Sequence, residues 1–340
     1  MVIVFHDSVH MILSVMFAIH STTIMSNAIP NKRRSRRAVI VSRLTAVLMI
    51  ALWIVFAFWV SAPVKKAARV AQVRVEIYSL ESALASFKSM YGIDPPSGVT
   101  LHSTRQGWDA DRRSRNAIRQ LWPEFDFETC GGMSNVPADG FHLNGAECLV
   151  FFLGGVIDPV AGVPSGFSKN HANPFVAKRG DHPPLFEFDQ RRLVDLDQDG
   201  FREFLDPLPV QTKPYLYISS NEGRGYDPAD FDGAMRDIYR TGSSPDAKPW
   251  KPKGFQIISP GTDHEYGIGG AYDPESPDLK NDSNRTAEFD NVTNFAPGVL
   301  VQPPSSTIIE IEFGLAPLLG LLLLAALVGW CCWFTICRRP

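Results

Sequence analysis

Carboxylate side chains recur at short, regular intervals along the stretch DLDQDGFREFLD, residues 195–206. They occupy positions 1, 3, 5, 9 and 12, with glycine at position 6; the residues are Asp195, Asp197, Asp199, Glu203, Asp206 and Gly200. In a calcium-binding loop, alternate side chains of a tight turn converge on one ion, and glycine adopts the conformation that the sharp turn requires. The spacing therefore predicts a calcium site. The alternative is an acidic surface turn without a metal.

This stretch departs from the usual calcium-loop pattern in two ways. Position 12 is Asp206, which is shorter than the usual bidentate glutamate, and Pro207 follows at once, so no helix can continue from the loop. A second stretch with many oxygen ligands is GTDHEYGIGG at 261–270, with Asp290 beyond it. The glycines of that second stretch fit plain hairpin turns equally well.

Motifs of the common enzyme classes are missing from the sequence. It contains no GxSxG, HExxH, P-loop or dinucleotide-binding pattern, and no Cys and His spacing typical of zinc sites. Glu203 and Asp206 could be interpreted as the carboxylate pair of a glycoside hydrolase, but their place in the acidic stretch explains them more simply. We therefore predict that the protein is not an enzyme.

The element that must position these groups is a helix with one apolar face. Apolar residues follow a 3-4-3-4-3-4 spacing, at Val70, Val73, Ile77, Leu80, Leu84, Phe87 and Tyr91. We predict that this face packs inside its own domain, and the alternative is the contact face of a coiled coil. Short runs at 215–219 (YLYIS) and 254–259 (GFQIIS) predict strands of a small antiparallel sheet that the helix covers.

Two apolar stretches lie outside this core. Residues 38–62 contain one charge and residues 313–337 contain none, which predicts two transmembrane helices. Basic residues flank both stretches, so both termini are expected inside the cell, with the domain at 63–312 outside a bacterial inner membrane. Residues 1–37 would form a basic cytoplasmic segment, with the true start at Met25.

Residues 63–312 carry about −10 net charge, which argues against nucleic-acid binding.

Two cysteines, Cys130 and Cys148, lie in the predicted outer domain. They could form a disulfide that closes a short loop in an oxidising compartment. Two unpaired, buried cysteines are the alternative, and the spacing does not decide between them.

The helix that ends near YGIDP at 91–95 and the later strings LDP (205–207), PYLYIS (214–219) and FQIISPGTD (255–263) resemble the major pseudopilins of type II secretion. This resemblance implies an α+β fold, in which a long N-terminal helix, half in the membrane and half amphipathic, packs on a small antiparallel sheet. It also implies a calcium-binding loop after the last strands, and by position that role would fall on Asp263 and Asp290. The region at about 100–190 would be a large insertion.

The sequence departs from that family at both ends. The family's processing glycine and the glutamate five residues into the mature chain have no counterpart, since Arg37 precedes Ala38 and Ser42 stands at position five. The C-terminal apolar stretch is also foreign to the family.

We therefore predict a non-catalytic structural or docking component of a type II secretion or pilus-like envelope apparatus. Its partners would be other pseudopilin or apparatus subunits and the membrane. One alternative is a processed pseudopilin subunit whose C-terminal tail is removed. Another is a ligand-binding or hydrolytic outer domain, with the insertion at 100–190 supplying the pocket.

Overall fold

The computed structural model describes residues 47, 66–133, 137, 140–158, 162–176, 182–231, 233–244, 246–276 and 278–301. The chain divides into two compact units, Met1–Lys65 and Lys66–Pro340. In the first unit only residue 47, which is helical, is described. Apart from that residue, the predicted basic segment at 1–37 and the predicted spans at 38–62 and 313–337 lie outside the described residues.

Within the described ranges, no helix combines the length and the apolar character needed to cross a membrane. The first described helix presents charged residues along its outer face, and the helices after it are four to ten residues long, against about 20 for a span. The predicted fold with a membrane-embedded half helix and a second span is therefore wrong. The predicted location in an inner membrane with two spans is corrected on the same finding.

The second unit is α+β, with modest helix content and small sheets. Its helices are α1 (66–91), α2 (Arg105–Ala110), α3 (Arg112–Leu121), α4 (Gly145–Gly154) and α5 (Asp278–Asn281). Its strands are β1 (Val99–Leu101), β2 (Phe141–Leu143), β3 (Leu193–Val194), β4 (Glu203–Phe204), β5 (Leu216–Ser219), β6 (Tyr239–Arg240), β7 (Phe255–Ser259), β8 (Gly270–Ala271) and β9 (Val292–Thr293). Short 3-10 helices lie at Cys130–Gly132, Gln190–Arg192, Pro228–Phe231 and Ser283–Glu288.

The apolar face of α1 packs against the rest of this unit. Five of its seven predicted apolar positions are at most 2% exposed: Val73, Ile77, Leu80, Leu84 and Phe87. Val70 and Tyr91, at the two ends, are partly buried against the same core. The intramolecular interpretation of the apolar face is thus confirmed.

A three-stranded antiparallel sheet lies in the order β5-β7-β9. Its two longer strands are the ones that the short runs at 215–219 and 254–259 predicted. Polar contacts also tie the helix to the sheet region, since the Tyr215 hydroxyl donates to Glu76 Oε2 of α1 at 2.8 Å. The other pairings are β1-β2 and β3-β4, both antiparallel, and β6-β8, which is parallel.

Helix α4 is the most apolar element of the region that we predicted as an insertion, and all ten of its residues are buried. It packs against β4 and β5. Its first residue must be small, because a Cβ on Gly145 would lie 2.0 Å from the carbonyl oxygen of Tyr217. This close approach fixes the start of α4 beside the sheet.

Cys130 and Cys148 are both buried and unpaired. Of the two alternatives for this pair, the structure therefore corresponds to unpaired, buried cysteines.

Candidate metal centre

The acidic stretch forms the loop of a β-hairpin. Strands β3 and β4 pair antiparallel, with Val194 opposite Glu203, and the loop between them carries three aspartates. Backbone groups of the loop donate to these aspartates: the Gly200 amide to Asp195 Oδ2 at 3.2 Å and the Phe201 amide to Asp199 Oδ1 at 2.8 Å. Gly200 has φ of +101°, a conformation that glycine adopts readily. The loop thus folds back on itself and gathers its carboxylates.

Two overlapping groups of carboxylates result. Asp195, Asp197 and Asp199 form one group, and Glu147, Asp197 and Glu203 form the other; within each, one oxygen per residue lies within 4.8 Å of the others. Two oxygens on opposite sides of a Ca²⁺ ion are separated by about 4.6–5.2 Å, because each Ca–O bond is about 2.3–2.6 Å long. The carboxylates therefore converge to the extent that a calcium ion requires.

Glu147 comes from α4, far from the hairpin in sequence. The start of α4 is a capping box: Asn144 Oδ1 accepts from the Glu147 amide, and Glu147 Oε2 accepts from the Asn144 amide at 2.7 Å. This pair of hydrogen bonds holds the side chain in place. The second oxygen, Oε1, is buried and has no hydrogen-bond partner, and the residue is 1% exposed.

Burial and mutual repulsion perturb these groups. Desolvation, reinforced by Asp199, Asp197 and Glu203, raises the pKa of Glu147 to about 8. Desolvation, reinforced by Asp197 and Asp195, raises the pKa of Glu203 to about 7. Burial also raises the pKa of Asp199. Carboxylates held this close need a proton or a cation between them.

Hard oxygen ligands of this kind suit Ca²⁺, which takes six to eight oxygens in flexible geometry. The residues that could hold the ion are Asp195, Asp197, Asp199 and Glu203, as the spacing predicted, together with Glu147. The sequence analysis missed Glu147. The signal that was available is the pattern N-x-x-E at 144–147 directly before an apolar run, which marks a capping box and places a carboxylate at a buried helix start.

Asp206 lies outside these two groups. Its carboxylate accepts from the Leu208 amide, from Gln211 Nε2 at 2.9 Å and from the Ser259 hydroxyl, and it is 1% exposed. The Ser259 hydroxyl connects the end of the hairpin to β7, and the other two donors lie in the segment that follows Asp206. The structure therefore gives Asp206 a structural role and brings Glu147 to the candidate site.

Replacing Asp206 with Ala should lower the free energy of unfolding by about 2–4 kcal/mol, because the buried donors of Gln211 and Ser259 lose their acceptor. Calcium affinity should stay unchanged. Chemical denaturation and calorimetric titration of the same variant measure the two quantities. A large loss of calcium affinity in a folded Asp206→Ala protein would place this carboxylate among the ligands after all.

At the second predicted calcium site, Asp263 and Asp290 lie near one another. Among the described residues, they do not form a group with a third acidic side chain. Asp290 accepts from the amide and hydroxyl of Thr262, and Asp263 Oδ1 accepts from the Glu265 amide at 2.9 Å. These bonds stabilise turns. The calcium role that the resemblance implied for this pair stays a prediction.

A cleft of about 530 Å³ opens beside the acidic hairpin. Its lining includes Phe141, His142 and Asn144 from one side and Asp197 and Asp199 from the other. Both of these aspartates also belong to the first carboxylate group, so the cleft borders the candidate metal centre directly.

Comparison of the chain with protein-family models, with curated proteins and with solved structures finds no match. The resemblance to the major pseudopilins is thus neither supported nor refuted. Nothing in the comparisons or in the described residues supports describing the chain as a transmembrane, pseudopilin or secretion-system protein, and that part of the prediction is corrected.

Proposed function

We propose that the second unit is a non-catalytic, calcium-binding domain with a structural or docking role. Ca²⁺ would be bound among the hairpin carboxylates Asp195, Asp197, Asp199 and Glu203 and Glu147 of α4, which form two overlapping groups that share Asp197. The ion would join the start of a buried helix to a surface hairpin.

The observation that carries this proposal is Glu147 Oε1. A carboxylate oxygen that is fully buried without a donor costs several kcal/mol when the group is ionised. The charges that most affect Glu147 are negative, since Asp199, Asp197 and Glu203 each raise its pKa. A divalent cation offsets both the desolvation and the repulsion, and without one Glu147 must keep a proton.

The way in which the ligands are held supports a structural role. Glu147 is fixed by its capping box, and the loop aspartates are fixed by backbone amides of the same turn. Binding the ion would therefore stabilise the contact between α4 and the β3-β4 hairpin.

Calcium should raise the melting temperature of the full chain. At a concentration one hundred times the dissociation constant, the stabilisation is about 2.7 kcal/mol, which corresponds to about 5–10 °C for a domain of this size. Asp197→Ala should abolish this rise, because Asp197 belongs to both carboxylate groups. Differential scanning calorimetry with calcium or with EDTA measures the effect.

Asp273→Ala is the matched control, since Asp273 is an exposed aspartate in a turn, accepts from the Glu275 amide, and lies outside the two groups and outside the pair Asp263 and Asp290. It should keep the full calcium response. A melting temperature that does not change in millimolar calcium would refute the proposal. If the control loses the calcium response and Asp197→Ala keeps it, calcium binds somewhere other than the acidic hairpin.

A further inference from the structure

The cleft beside the hairpin shares Asp197 and Asp199 with the proposed calcium site. The three carboxylates of either group, each supplying one oxygen, leave three to five of the six to eight coordination positions of Ca²⁺ for other ligands. Asp197 and Asp199 of the first group line the cleft, so an ion bound beside them would face it. A ligand in the cleft can therefore coordinate the ion directly.

We propose that this cleft binds a neutral sugar, with two adjacent hydroxyl groups of the sugar coordinating the calcium ion. This inference rests on the calcium-binding function proposed above. Hydroxyl oxygens are hard, uncharged ligands that replace coordinated water, and two on neighbouring carbons can occupy two positions at once.

Charge favours a neutral ligand over an anion. Five carboxylates and one Ca²⁺ ion leave a local surplus of about three negative charges, so a carboxylate or phosphate entering the cleft would be repelled. The main competitor is an organic cation, which could bind between the carboxylates in place of the metal. Such a cation would compete with calcium, whereas a sugar requires it.

The size and lining of the cleft suit a monosaccharide. Its volume of about 530 Å³ lies within the range of small-molecule sites, which is about 300–1,000 Å³. Phe141 is partly buried and gives the cleft an apolar wall on which the C–H groups of a sugar ring can pack. His142 is exposed, and its imidazole can exchange hydrogen bonds with hydroxyl groups.

The test uses the full chain and begins with calorimetric titration of calcium alone. Saturation-transfer NMR is then recorded with methyl α-D-mannoside and with methyl β-D-galactoside, once with calcium and once with EDTA. Cyclohexane-1,3-diol, which has no adjacent hydroxyls, serves as the control ligand. We expect at least one glycoside to give a signal that falls at least tenfold in EDTA, and the control diol to give none.

Phe141→Ala should lower glycoside affinity at least fivefold and leave calcium affinity unchanged. If that variant fails to fold, His142→Ala serves the same purpose at an exposed position and should also weaken glycoside binding. Unchanged glycoside affinity in whichever of these two variants folds would overturn the proposed site.

The outcomes separate the two proposals. Absence of calcium binding in the first titration refutes both. Calcium binding without glycoside binding, or glycoside binding that is equal in EDTA, overturns only the sugar proposal. Spermidine that binds in EDTA and is displaced by calcium would assign the cleft to organic cations and would also overturn it.

Discussion

Replacement of Glu147 by glutamine is expected to stabilise the calcium-free protein and, at the same time, to weaken calcium binding. Glutamine keeps the capping box, because its amide oxygen can accept from the Asn144 amide as Glu147 Oε2 does. It removes the negative charge that burial and the neighbouring carboxylates oppose. A variant that is more stable than wild type without calcium and binds calcium more weakly would show that the Glu147 carboxylate takes part in binding the ion.

The effect on the calcium-free protein should depend on pH. The pKa of Glu147 rises from its ordinary 4.5 to about 8 in the folded state. Between these values the folded protein retains a proton that the unfolded chain has released, so the free energy of unfolding falls as pH rises through this window. The shift corresponds to at most about 5 kcal/mol, and screening by solvent reduces it, so we expect about 2–3 kcal/mol at pH 8.

Thermal unfolding in EDTA at several values between pH 5 and pH 9 measures this dependence. Wild type should lose stability steadily toward high pH, and Glu147→Gln should be less dependent on pH and melt about 5–10 °C higher at pH 8. Part of the slope should remain, because the pKa of Glu203 is raised to about 7 by burial and by Asp197 and Asp195.

With calcium present, the wild-type slope should disappear, because the ion binds the ionised carboxylates. Glu187→Gln is the matched control, since it makes the same chemical change at an exposed position. A Glu147→Gln protein that is less stable in EDTA than wild type, with an unchanged calcium response, would show that the carboxylate has no part in binding the ion.

The sequence predicted the acidic hairpin but not the full set of carboxylates that gather at it. Residues of one tight loop meet because of their spacing alone, and for that reason Asp195, Asp197 and Asp199 could be predicted together. Glu147 reaches them through tertiary packing, from a helix whose close approach to β5 depends on Gly145. Asp206 was assigned from its place at position 12 of the calcium-loop pattern, although that pattern continues into a helix. Here strand β4 follows the loop instead, and beyond it the Asp206 carboxylate accepts a hydrogen bond from the Ser259 hydroxyl.

The helices and strands that could be predicted are those in which a regular pattern of apolar residues marks the buried side chains. The apolar spacing of α1 and the short apolar runs of β5 and β7 between turn residues are such patterns, and the structure buries most of both. The two transmembrane helices were predicted from hydropathy alone. They were placed at 38–62 and 313–337, which lie outside the described residues apart from residue 47. The short strands β3 and β6 have two residues each, too few to show any alternation in a sequence.

Replacing Leu80 with Asp is expected to unfold the second unit. Leu80 lies near the middle of α1, is fully buried and belongs to the main core. Truncating a buried leucine costs about 2–5 kcal/mol, and placing an unpaired carboxylate in the same site adds several more. The total is comparable to the whole stability of a typical domain, about 5–15 kcal/mol. Circular dichroism and limited proteolysis of the full chain would detect the loss of structure.

Val75→Asp supplies the control, because it introduces the same residue in the same helix at a side chain that is 64% exposed. It should cost no more than about 0.5–1 kcal/mol, mostly through helix propensity. The contrast between the two variants isolates burial as the cause, since both change a branched aliphatic residue to aspartate one and a half turns apart. A folded, monomeric Leu80→Asp protein would mean that the apolar face of α1 contacts a partner chain and not its own sheet.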